Sequence, residues 1–356
     1  MPRFAFFVFS YLKTFSIIFD IIKSCDERLY INAVLASGGL DPFFILGDNI
    51  GPLTEIEKML WHKDQPLIPG NLFLHWAMMK EAHNQDVRIL LDGVGGDQTV
   101  SHGLAYIAEL ARKGRLCRML SEVKGLARNL SSSPKRVFFK YAIYPLIPEF
   151  GHQMYRVLRG REDSFLADFN IVNSEFIERI GLVNRKKALQ RVQSEFTSTA
   201  KEDHYLDLIW GFHQLWFEEC NMASSAFSVE IRCPFYDKRL MEFCLAIPSD
   251  QKIRNGWTRW IMRSALKDVL PEEIYYRGGK ADLSRNFSHG LMTYNKAILE
   301  ETMLSEKSIL NNYVNSFTLG ESYRRFLLSQ EPLAENEILK IWNVITLSLW
   351  IRDMHL

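Results

Sequence analysis

The sequence predicts an α/β fold, a small parallel Rossmann-like sheet with a large helical C-terminal elaboration, and three observations carry that expectation. Thr14–Asp20 and Pro42–Leu46 are strand-like apolar runs on either side of a helix-like stretch, which makes a strand, helix, strand unit. Val87–Leu91 is an apolar run broken only by Arg88 and leads into a glycine-rich turn, as expected of a parallel strand covered on both faces. From His102 onward the chain reads as long helical segments rich in Leu, Arg and aromatic residues, with no strand signal of comparable strength.

Along the chain, Arg3 and the apolar run Phe4–Leu12 raise the question of a leader or anchor. Lys13 and Asp20 interrupt that run before the roughly 18 residues a membrane helix requires. Residues 1–13 therefore read as an atypical extension, and 14–356 as one domain. Asp26–Gly39 reads as a helix with acidic residues in its first turn and glycines at its end. Leu53–Gln65, with Thr54 as a plausible cap, and Asn71–Asp86 both carry helical apolar spacing. A basic, serine-bearing break falls at Asn129–Arg136. No internal repeat and no low-complexity tract is present.

Composition narrows the function classes. The 356 residues, 47% hydrophobic and 24% charged, suffice for a large buried core. With 43 basic against 42 acidic side chains the formal charge is +1, so neither nucleic acid nor an anionic membrane is an expected partner. An anionic ligand must be met by local groups. Cys25, Cys117, Cys220, Cys233 and Cys244 are odd in number and form no CxxC pair, which points away from a disulfide framework or a zinc site and toward a reducing cytoplasm.

Asp92–Gly103 is the first candidate site. A strand ending in Gly93, Gly95 and Gly96 can turn sharply and bring bare N–H groups against an anion, and a helix starting near Thr99 or Ser101 would add its positive end. Asp97 inside a phosphate-binding turn makes sense with Mg²⁺ between the two negative groups, since that ion takes oxygen ligands. An ordinary tight turn after a strand has the same composition.

The run Val229–Asn286 is more specific. It holds Arg232, Pro234, Phe235 and Asp237, then Lys252, Ile253, Arg254 and Gly256, then Arg263 and Ala265, then Leu270, Pro271 and Ile274, and last Lys280 and Ser284. This ordered set closely resembles the C-terminal synthetase domain of asparagine synthetases. The resemblance implies a sheet of the adenine nucleotide α-hydrolase type and two-step chemistry. A carboxylate attacks the α-phosphate of ATP, pyrophosphate leaves, and an amine displaces AMP from the acyl-adenylate. It further implies that Gly93, Gly95, Gly96 and Asp97 contact ATP or pyrophosphate, that Asp97 holds Mg²⁺, and that Lys280 stabilises the charge built on the phosphates.

Several departures from the pattern stand out. Val94 and Gln98 occupy positions where the family commonly has Glu, and one extra residue separates Arg277 from Lys280. The form of the Asp92–Gly103 turn is similar to that of homologues which close amide bonds in peptide pathways, including lasso-peptide cyclases. Arg232 and Asp237 are equally compatible with a salt-bridged turn, and Lys252 and Arg254 with solvated surface. Ser37-Gly38-Gly39-Leu40-Asp41-Pro42 imitates the family's first ATP loop, but it follows a helix and precedes a strand, so it reads as a helix exit.

On that reading the true first loop is expected upstream of Met1, or from a separate chain that supplies the loop or ammonia. With Pro at position 2, no glutaminase nucleophile is expected within this sequence. Three functions stay open: an amide-forming ligase acting on aspartate or a peptide carboxylate, a macrolactam-forming cyclase, and a non-catalytic relative that keeps the fold.

Overall fold

A computed structural model describes residues 11–67, 70–148, 150, 151, 154, 169–194, 199–279, 281–305, 310–328 and 335–353. The chain is α/β, mostly helical with small sheets, and it divides into two compact units. One comprises Met1–Leu90, Glu219–Ile231 and Lys267–Glu300; the other comprises Leu91–Glu218, Arg232–Leu266 and Glu301–Leu356.

The first unit begins with the strand, helix, strand arrangement expected from the sequence. β1 (Leu12–Ile18) pairs in parallel with β2 (Leu40–Leu46), from Leu12 opposite Leu40 to Ile18 opposite Leu46. Parallel neighbours need a crossover, and the helix Arg28–Leu35 supplies it. Its exit is Ser37-Gly38-Gly39, with Gly38 at φ +80° and Gly39 at φ +74°. A Cβ at either glycine would meet no atom within 4 Å, so left-handed backbone rather than space requires glycine here.

The carboxyl ends of the two strands are tied together by Asp48, buried just after β2, which accepts the backbone N–H groups of Asp20, Ile21 and Ile22. Burial alone would push the Asp48 carboxyl up, but these bonds outweigh it and hold it below the usual carboxylate range. The helix Leu72–Asn84 packs Met79 and Ala82 against Phe15, Val87, Leu90, Val229 and Ile231. The helix Ile56–Lys63 starts at Glu55 rather than through Thr54, whose hydroxyl accepts the Gly51 N–H instead.

The strand expected over Val87–Leu91 is shorter and less covered than the sequence suggests. β3 (Ile89–Leu91) pairs with β4 (Glu230–Arg232), and Ile89 and Leu91 are 46% and 66% exposed. Among the described residues β3 is bonded to one three-residue strand, which is too little sheet to enclose both faces.

In the second unit the helices Ala105–Arg112 and Leu116–Asn129 enclose a core of Tyr106, Ile107, Leu110, Met119, Val123 and Leu126, joined by Ile253. Ile253 belongs to a hairpin, β5 (Ile253–Arg254) and β6 (Trp257–Thr258), turned by Asn255 at φ +51° and Gly256 at φ +75°. Asn-Gly is the pairing that a turn with two left-handed residues demands. The Gly256 N–H donates to Glu122, and a Cβ on Gly256 would lie 2.0 Å from the Gly125 carbonyl carbon, so both glycines allow the hairpin to sit directly on the helix backbone.

Candidate functional site

In the second unit Asp92–Gly103 forms a turn leading into a short helix, Gly96–Val100, somewhat earlier than the expected start near Thr99. The Val94 N–H donates to Asp92 Oδ1 at 2.9 Å, an Asx turn that sets the bend. The three glycines have different causes. A Cβ on Gly93 would meet nothing within 4 Å, so that residue opens on free space. Gly95 caps the helix at φ +92°, and a Cβ there would sit 2.0 Å from the Tyr236 ring. A Cβ on Gly96 would press on Phe235 at 3.3 Å. The Arg232–Asp237 segment therefore backs the turn with two aromatic rings.

Tyr236 also meets Phe217 edge-on at 4.4 Å, and burial first, with Asp207 and Cys233 adding to it, pushes its phenol up to about 12. The expected Arg232–Asp237 bridge is not what holds the segment. Asp237 accepts from the Arg239 backbone N–H at 2.9 Å as a helix cap and pairs with the Arg239 guanidinium at 2.7 Å. A cation two residues away on the same turn is nearer than any partner along the strand.

Asp97 receives Arg259 Nη1 on Oδ1 at 2.6 Å, and His102 Nε2 lies 3.6 Å from the same oxygen. Arg259 was not singled out by any sequence pattern. It reaches Asp97 from the far side of the hairpin, at φ +54°, a left-handed conformation that a non-glycine residue rarely takes. Lys252 corrects a surface expectation: it is 1% exposed, with its ammonium 2.7 Å from His204 Nδ1. Arg254 is exposed, as expected.

Burial lowers the Lys252 pKa to about 8. A folded pKa below the ordinary 10.5 means that the full penalty of the buried charge is present below pH 8 and is relieved as pH rises toward 10.5. Measured against Lys252→Met by denaturant unfolding, the wild-type chain should therefore gain relative stability across that window.

Lys280 lies outside the described residues, but both sides of it are fastened within the first unit. Arg277 pairs with Glu27, stacks its guanidinium 4.1 Å from the Tyr30 ring centre, and donates from Nε to the Gly279 carbonyl at 2.8 Å. The Ala281 N–H donates to the same Glu27 oxygen at 3.2 Å, and Cys25 Sγ reaches the Asp282 carbonyl at 3.0 Å. Glu27, at the N-terminal cap position of the helix Arg28–Leu35, is thus the clip of the lysine-bearing loop. From sequence, Glu27 reads only as one of the acidic residues at the start of a helix. Glu27→Ala should cost about 1–3 kcal/mol through the lost charged contacts and raise amide exchange at Ala281, read by hydrogen exchange with thermal unfolding.

Asp97 suits Mg²⁺ in one way only. Among the described residues no three His, Cys, Asp or Glu side chains converge. Mg²⁺ commonly keeps waters and takes one or two carboxylates plus substrate phosphates, so Asp97 fits as a single carboxylate whose remaining ligands are phosphate and water. Arg259 would then share Oδ1 or release it.

A family model described as asparagine synthase matches residues 5–352. The chain is 22% identical over 273 residues to asparagine synthetase [glutamine-hydrolyzing] 1 of Bacillus subtilis (strain 168), covering 75% of this chain and 41% of that protein. It is 37% identical over 73 residues to asparagine synthetase [glutamine-hydrolyzing] 3 of the same organism, covering 20% of this chain and 12% of that one. It is also 21% identical over 368 residues to the amidase chyE of Penicillium rubens, covering 95% of this chain and 53% of that protein. The chain thus spans about half, or less, of the length of these relatives.

Proposed function

Because the chain belongs to the asparagine synthase family, we propose that it is an ATP-dependent amide-forming ligase that activates a carboxylate as its acyl-adenylate. The observation that carries this reading is the Asp97 turn, where Gly93 faces open space, Gly95 and Gly96 are backed by aromatic rings, and one acidic group is held by Arg259. On this reading the turn, which directly follows the carboxyl end of β3, stands where ligands bind in open α/β sheets.

The chemistry then divides among this chain's residues. Backbone N–H groups of Gly93–Asp97 donate to phosphate oxygens while the carboxylate substrate attacks the α-phosphorus. A P–O bond forms to the carboxylate as the bond to pyrophosphate breaks. Mg²⁺, when bound, neutralises part of the phosphate charge. To Lys280 the family resemblance gives the part of offsetting the charge gathered on the leaving pyrophosphate. An amine then attacks the acyl carbon and AMP departs. A second phosphate loop supplied by a further segment or another chain completes the ATP site.

The identity of the carboxylate divides two readings. Val94 and Gln98 remove two acidic groups from the turn, and Trp210 and Phe212 form a half-exposed stacked pair 5.0 Å apart. Trp210 meets His213 at 5.4 Å, and His213 lies 6.2 Å from Tyr236, which backs Gly95. An apolar platform so close to the turn favours a peptide carboxylate, as in macrolactam closure, over free aspartate.

ATP–pyrophosphate exchange with aspartate and with an Asp-bearing peptide tests both, on this chain alone and supplemented with a segment carrying a strand–Ser-Gly-Gly-x-Asp-Ser–helix unit. Exchange that Lys280→Ala reduces by a hundredfold or more supports the ligase. No exchange under any of these conditions leaves a non-catalytic relative.

A further inference from the structure

Three polar groups stand in series inside the second unit. Lys252 Nζ lies 2.7 Å from His204 Nδ1, and His204 Nε2 lies 2.8 Å from the carbonyl oxygen of Gln98, with both side chains 1% exposed. A carbonyl oxygen only accepts, so His204 Nε2 carries the proton, Nδ1 is the acceptor, and Lys252 donates to it. The imidazole is therefore neutral and held in one tautomer. Burial, then the Lys252 charge, lowers the His204 pKa, in keeping with that assignment.

Gln98 adjoins Asp97 in a five-residue helix, too short for its late carbonyls to find partners within it. His204 supplies a donor to one of them. The far end of the segment is fixed as well: Gly103, at φ +71°, lets the backbone of Lys252 and Ile253 approach so closely that a Cβ would sit 2.8 Å from Lys252 Cβ. Among the described residues no carboxylate lies within ion-pair distance of Lys252. A buried ammonium without a counter-ion costs stability, so packing gives no reason for its charge.

We propose that Lys252 and His204 are a positioning pair for the Asp97 turn. Lys252 fixes the tautomer of His204, and His204 holds the Gln98 carbonyl so that the adjoining Gly93–Asp97 backbone keeps the shape that receives phosphate. Its effect on nucleotide binding rests on the ligase reading above; its effect on the turn does not.

The test uses the full chain with Lys252→Met, His204→Phe, their double variant and His204→Gln. Both single variants should speed amide exchange over residues 93–103 by about tenfold or more while the helices over 105–129 keep their protection. The double variant should be no worse than either single one, because the pair acts as a unit. His204→Gln, whose amide can donate to Gln98, should restore most of the protection. Nitrogen-15 NMR of the wild-type chain should show His204 protonated at Nε2, and Lys252→Met should release that tautomer.

In pyrophosphate exchange the KM for ATP should rise by about tenfold with a smaller change in kcat. Unchanged exchange over 93–103 in folded Lys252→Met, or His204 protonated at Nδ1 in the wild type, overturns the proposal. Loosened loop amides together with a wild-type chain that binds no ATP leave the pair standing and remove the ligase reading.

Discussion

Asp97→Asn should lower ATP–pyrophosphate exchange by two to three orders of magnitude, roughly the effect of deleting one preorganised charge-stabilising group. Asparagine keeps the shape of the side chain and can still accept from Arg259 on Oδ1, so the turn is expected to persist. What disappears is the negative charge that would draw Mg²⁺ between protein and phosphate. The Mg²⁺ concentration for half-maximal exchange should rise in the variant. Arg259→Leu separates this role from simple bracing, because it removes the partner while leaving the carboxylate: if Asp97 serves the metal, Arg259→Leu is the milder change. Exchange by Asp97→Asn within threefold of wild type at saturating ATP would rule out the role assigned to that carboxylate.

Glu219→Ala should destabilise the first unit by about 3–5 kcal/mol. Glu219 and Lys63 are an ion pair with both side chains fully buried, and the Gln65 amide donates to the other Glu219 oxygen. Truncating Glu219 leaves a buried ammonium with nothing to balance it, which is far worse than losing both charges. The double variant Lys63→Met with Glu219→Leu, of similar volume and no charge, should recover to within about 1–2 kcal/mol of wild type or exceed it. Denaturant midpoints of the three chains decide the matter, and a Glu219→Ala loss below 1 kcal/mol would mean that water reaches the pair.

Much of the first unit was legible in the sequence because its signals are local. Thr14–Asp20 and Pro42–Leu46 marked the two parallel strands to within two residues at either end, and Gly38 and Gly39 announced a helix exit through their position after an apolar helix. The Val87–Leu91 strand was found, but its burial was not, since apolar content does not say how many neighbours a strand will have. The hairpin over Ile253–Thr258 carried a readable Asn-Gly signal that strands of two residues were too short to support.

At the candidate site the balance is different. The residue types of the turn, Gly93, Gly95, Gly96 and Asp97, follow from sequence because glycine spacing after a strand is a chain-local property. Their partners do not: Arg259 lies 162 residues from Asp97, and Phe235 and Tyr236 fill the space beside Gly96 and Gly95 from another segment remote in sequence. Lys252 is the sharpest case, since a lysine between Gln251 and Ile253 reads as surface until packing encloses it beside His204.

By itself, the sequence determined the family, the order of the elements and the residue types of the Asp97 turn, all set by periodicity, turn residues and ordered motifs within short stretches. Only the tertiary structure decided which charge meets Asp97, what backs the glycines, what clips the Lys280 loop and that Lys252 is buried. Those depend on contacts between segments that meet through packing, a choice that no local pattern encodes.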